Sequence, residues 1–254
     1  MDTSSALIAE NAAFADLLRD ADFATPVPTC PDWTLGLLLR HVGRGDRWCA
    51  QIVAERSADA IDPRTVRGGQ PPADSDGQTG WLYEGVRELL EAVEQSGPDT
   101  PVWTFLGPRP AAWWIRRRLH ETVVHRADAA LALGADFEIE TAVAADGITE
   151  HLERLMALAA EEGPADRDRP LGEGQSLHLH ATDTGPGHIG EWTILGRPDG
   201  IVLDHEHARA TTALRGPVRG LLLAVTRRGC AAELGVEIFG DQAIWDTWLA
   251  RTPF

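Results

Sequence analysis

The stretch Leu119–Arg126, LHETVVHR, decides how the first half of this chain is read. It approaches the zinc-protease pattern H-E-x-x-H, but three residues instead of two separate Glu121 from His125. A helix advances about 100° per residue, so His120 and His125 point about 140° apart and cannot grip one ion. Glu121 and His125 lie about 40° apart and share a face. The extra residue excludes the protease arrangement and makes Glu121 a candidate ligand instead of a general base.

The same face, followed along the helix, carries Trp114, Arg118, Glu121, His125 and Asp128. Two readings are open. One is a solvated face with an i,i+4 ion pair, because Glu-x-x-x-His is a common spacing. The other is a pair of metal ligands pointing into a bundle core, with Arg118 for a substrate and Asp128 supporting a ligand from behind. A third ligand would come from a neighbouring helix, and His41, the one histidine of the second helical stretch, flanks its apolar stripe through Leu37, Leu38 and Trp48. Alone, His41 reads equally as a satisfied histidine at the edge of the core. Together, His41, Glu121 and His125 form a His₂Glu set that leaves one coordination position open, the pattern of a catalytic zinc site. Iron or nickel also accepts these donors, so Zn2+, one per chain, is a preference over them.

Outward from that helix the first half reads as helical throughout. Stretches at 4–20, 35–56, 81–96 and 111–134 have apolar residues at helical spacing. A proline-rich turn at 25–34, with Asp32 or Thr34 as cap, precedes the second, and Gly134 stops the fourth. Residues 57–78 read as a long loop. Four helices with such links predict an antiparallel four-helix bundle. A fifth helical stretch covers 140–163. Beyond it the pattern changes to short alternating strands at 176–182, 191–196 and within 200–214, a helix at 218–228, a strand in 232–240 and a closing amphipathic helix at 241–250. The expectation is an α+β chain of two domains, 1–138 and 139–254.

Composition narrows the chemistry. The net charge is −16, with 39 acidic residues against 23 basic, which argues against a nucleic-acid partner. All the basic residues are arginine. The absence of lysine removes Schiff-base chemistry and a P-loop, and points to a GC-rich genome. The N-terminus has no signal-peptide pattern, no stretch has the length of a membrane span, and Cys30, Cys49 and Cys230 are an odd set without C-x-x-C. A reduced cytoplasmic protein with structural thiols, away from membranes, is the expectation.

The segments TCPDWTLGLLLRHVG (29–43) and RRRLHETVVHRADAAL (116–131) resemble the mycothiol-dependent maleylpyruvate isomerase family. Its first domain is a DinB-like four-helix bundle. LHLHATD, EWTI, ARATTALRGPVRGLLLAVTRR and GVEIFGDQAIWDTWL resemble its second domain, which is similar to sterol carrier proteins. The resemblance runs in order over nearly the whole chain. It places His41, Glu121 and His125 on the metal-ligand positions. It implies a metal-activated low-molecular-weight thiol, mycothiol first, as nucleophile and co-substrate toward a small electrophile, an anion in the case of maleylpyruvate. The outcome would be cis–trans isomerisation or S-transfer; an ergothioneine-using relative and a non-catalytic metal-binding regulator or carrier are the alternatives. An anionic substrate calls for arginines. Arg118 is the best aimed of Arg116, Arg117 and Arg118, with the other two read as solvated; Arg228, with Arg227 its near alternative, matches a motif arginine and equally reads as a helix C-terminal cap. Trp114 is read as core or as a wall of the site that binds the thiol. The pairs His178/His180 and His205/His207 are read as alternating along strands, each pair on one sheet face, either exposed or forming a second metal site. A monomer or a homodimer fits equally.

Overall fold

A computed structural model describes residues 1–162, 169–185, 188–198 and 200–252. The chain divides into two compact units, Met1–Phe137 and Glu138–Phe254. The end of the fifth predicted helix, at residue 163, and part of the polar tract after it lie outside the described residues.

In the first unit, helices α1 (Thr3–Leu18), α2 (Leu35–Ala54), α3 (Ser75–Ser96) and α4 (Trp113–Leu133) form a four-helix bundle in which α2 packs on α3 and α1 on α4. Phe14, Leu18, Leu35, Leu38, Val42, Trp81 and Leu82 make its buried apolar cluster. Thr34 caps α2, its hydroxyl accepting from the Leu37 N–H, and Gly134 closes α4 in the left-handed conformation with φ 64°. Helix α3 starts six residues before the expected Trp81, because the Asp74 carboxylate accepts from the Gly77 N–H at 2.7 Å and caps a helix there. The α2–α3 contact is close: a Cβ on Gly43 would lie 2.2 Å from the Trp81 ring. A short ribbon of β1 (Pro101–Val102) and β2 (Arg109–Pro110) precedes α4.

The second unit holds α5 (Thr141–Glu162), α6 (Val218–Val225), α7 (Gln242–Arg251) and a five-stranded sheet. Its strands are β3 (Ser176–Ala181), β4 (Glu191–Arg197), β5 (Gly200–Asp204), β6 (Thr212–Gly216) and β7 (Glu237–Gly240), in the order β5-β4-β3-β6-β7. Only the β3–β6 pairing is parallel. Leu179 pairs with Trp192, whose indole N–H donates to the Thr149 hydroxyl of α5, so these residues face the helices. Alternation then puts His178 and His180 on the opposite face. The strand expected through His205 and His207 ends at Asp204, and both histidines lie in the segment after it. There the Glu191 carbonyl accepts from the His205 Nδ1–H at 3.1 Å. No helix among the described residues is long and apolar enough to cross a membrane.

Candidate metal centre

The polar face of α4 is not solvated. Trp114, Arg117, Arg118, His120, His125 and Asp128 are all buried, in a helix whose residues from Thr122 to Ala130 are buried without a break. Glu121, one turn before His125, lies within reach of His41 from α2: His41 Nε2 and Glu121 Oε1 are 2.9 Å apart. The His41 and His125 rings meet edge to face with centroids 4.9 Å apart. Donor atoms of His41, Glu121 and His125 all lie within 4.8 Å of one another. Two residues on one helical turn and one from across the bundle are thus brought together. His120 is buried but outside this group.

His125 is braced from behind. His125 Nδ1 donates to Asp128 Oδ2 at 2.9 Å, so that Nε2 is the nitrogen that could serve an ion. Asp128 also accepts from the Thr29 hydroxyl at 2.5 Å and contacts Cys30 Sγ at 3.5 Å. A carboxylate behind a histidine fixes its tautomer and raises its basicity, the usual support of a metal-binding imidazole. The arrangement fits a divalent ion: two imidazole nitrogens and one carboxylate converge, and a second carboxylate, Asp128, would orient His125 from outside.

Arg118 was expected to face a substrate. Its guanidinium instead points into the bundle, with Nε 2.7 Å from Asp46 Oδ1, Nη2 2.8 Å from the Val42 carbonyl and Nη1 2.8 Å from Glu121 Oε1. The cause is Asp46, a fully buried carboxylate on α2. Gly45 makes room, since a Cβ there would lie 2.6 Å from Arg118 Nη1. Arg117, expected to be solvated, is buried as well, 3.6 Å from Glu121 Oε2.

Charge follows from this packing. Burial works against ionisation of Glu121, yet Arg118, the hydrogen bond from His41 and Arg117 hold its carboxyl well below the usual range. Burial pushes His125 below the ordinary imidazole value, outweighing the hydrogen bond to Asp128, so the ring is neutral at pH 7 and has a lone pair to offer. Burial pushes the Cys49 thiol well up, consistent with an inert core cysteine.

Trp114 is 1% exposed and its indole N–H donates to the Trp103 carbonyl within a cluster of Trp48, Trp103, Phe105 and Trp113. It is core. The aromatic ring at the centre is Trp33, with centroids 4.9 Å from His41 and 6.1 Å from His125. Asp32, with φ 66°, turns the backbone immediately before it. Sequence reasoning passed over Trp33, Thr29 and Asp46; the unusual run PTCPDWT was the available signal for the first two. In the second unit Arg228 is buried, and its Nη1 donates to the Thr226 carbonyl at the end of α6, the capping role its position also allowed.

The chain is thus a two-domain protein, a helical bundle in which two histidines and a glutamate converge, followed by an α+β unit. Residues 4–130 match the family described as mycothiol maleylpyruvate isomerase N-terminal domain, and residues 142–247 match its C-terminal domain. The chain belongs to the mycothiol-dependent maleylpyruvate isomerase family. It is similar in fold to the crystal structure of the mycothiol-dependent maleylpyruvate isomerase, with 17% identity over 93% of this chain and 91% of that one and a TM-score of 0.57. A histidine-to-alanine mutant of that isomerase gives 16% identity, the same coverage and a TM-score of 0.58. No curated protein matches the chain in sequence.

Proposed function

We propose that this chain is a metal-dependent enzyme that uses a low-molecular-weight thiol, mycothiol first, as nucleophile toward a small electrophile of the maleylpyruvate kind. The observation that carries the proposal is the convergence of His41, Glu121 and His125 on one point inside the bundle. These three side chains would hold the ion, Zn2+ by preference. When bound, zinc supplies a thiol with a deprotonated state at neutral pH. Asp128 keeps the His125 proton on Nδ1, so that Nε2 stays available. Arg118, clamped by Asp46, acts as a positioning residue that fixes the Glu121 carboxylate and keeps it ionised. Trp33 packs against both imidazoles.

The thiolate sulfur adds to one alkene carbon, and the electron pair of the double bond moves into the conjugated carbonyl. Rotation about the resulting single bond and expulsion of the sulfur restore the alkene in the trans form, with no net change of thiol. If a leaving group departs instead, the sulfur stays on the product and the reaction is S-transfer. Family membership favours the first outcome. The test incubates zinc-loaded protein with mycothiol and maleylpyruvate and follows both compounds. Isomerisation with mycothiol recovered intact supports the proposal. Loss of mycothiol into an adduct makes the chain a transferase. Turnover that is unchanged in Glu121→Ala overturns the metal reading.

A further inference from the structure

In the second unit, three imidazoles converge on one carboxylate. Glu191, the first residue of β4, pairs directly with His180 of β3. Its Oε1 lies 2.8 Å from His180 Nδ1 and 3.1 Å from His207 Nδ1, and its Oε2 lies 2.7 Å from His178 Nε2. Ring centroids of His178 and His207 are 4.9 Å apart, and those of His180 and His207 are 5.5 Å apart. Donor atoms of His178, Glu191 and His207 lie within 4.8 Å of one another. Ligands at 2.0–2.1 Å around a tetrahedral zinc are roughly 3.3 Å apart, so small side-chain rotations would close the set.

We propose that His178, Glu191 and His207, with His180 beside them, form a second site for a divalent transition-metal ion, separate from the bundle centre. The scaffold is suited to this. Residues two apart on β3 present His178 and His180 to one face, β4 brings Glu191 opposite, and the segment after β5 adds His207. The His178 side chain is 5% exposed and that of Glu191 12%, while that of His207 is 70% exposed, which gives an ion a way in. Nitrogen donors with one carboxylate select zinc, nickel or copper over magnesium or calcium. Bound there, the ion would fasten the 205–207 segment to β3 and β4, a structural role that needs no thiol and does not depend on the bundle reading.

The experiment uses the full chain, free of any tag, stripped with a chelator, loaded with Zn2+ alone, and assayed for zinc per chain after gel filtration. Wild type is compared with His207→Ala, His178→Ala and Glu121→Ala, and circular dichroism checks folding. Two equivalents in wild type and one in His207→Ala support the site. His207 is exposed, so its variant tests the proposal even if His178→Ala fails to fold. A zinc content unchanged in His207→Ala overturns it, leaving the cluster a set of hydrogen bonds to one carboxylate. Loss of one equivalent in His207→Ala but none in Glu121→Ala supports this site and rejects the bundle centre; the reverse rejects this site alone.

Discussion

The molecule gathers imidazoles around a glutamate twice, on two different scaffolds. In the bundle, Glu121 and His125 come from one turn of α4, and His41 comes from a residue 80 positions away. In the second unit, His178, His180 and Glu191 come from two neighbouring strands, and all the partners lie within 16 positions of Glu191. The first cluster is braced by Arg118, Asp46 and Asp128, all buried; in the second, the three rings gather on Glu191. Local pairing in a sheet can assemble such a group with little support. Assembly across a bundle places charges in a core, where each must be answered by another.

That difference is open to attack, beginning with the brace. Arg118→Met leaves Asp46 and Glu121 without their main countercharge, and breaking a buried pair in this way costs about 3–5 kcal/mol. The prediction is a large fall in the midpoint of urea denaturation, whereas Glu191→Gln in the second cluster shifts it much less. Asp128→Ala removes the acceptor of His125 Nδ1. Zinc affinity at the bundle centre should then fall about 10–100-fold in a competition titration against a chromophoric chelator, with the fold intact.

Gly45→Ala is a smaller and sharper perturbation. Helix propensity favours alanine by about 1 kcal/mol, but the new Cβ would press on the Arg118 guanidinium 2.6 Å away. Overpacking costs about 1–3 kcal/mol, so the net expectation is a loss of stability; a gain in thermal midpoint would show that Arg118 has room to move. The smallest effect belongs to His207→Ala. Being exposed, it should change the stability of the metal-free chain by no more than about 0.5 kcal/mol, while its metal-loaded form loses the zinc-dependent rise in midpoint that the second site confers.

The pairing of Glu121 and His125 on α4 was readable because helical geometry is local: their spacing alone puts them on one face. The order of helices and strands, and Gly134 as a stop, were readable for the same reason. What escaped was tertiary. Nothing local tells whether the stripe Trp114–Asp128 meets water or another helix, and it meets α2, where Asp46 draws Arg118 inward. Trp33 sits on a turn whose left-handed residue, Asp32, carries no glycine to announce it. His205 and His207 alternate as a strand would, yet β5 ends at Asp204, and side-chain contacts with Glu191 hold the following segment.

The central claim, that His41, Glu121 and His125 hold one ion, is tested most directly by zinc content. Wild type, Glu121→Ala, His125→Ala and His120→Ala are purified alike, confirmed as folded, and assayed for zinc per chain. The expected result is the loss of most of one equivalent in Glu121→Ala and His125→Ala and full retention in His120→Ala. Equal zinc in all four proteins would contradict the account.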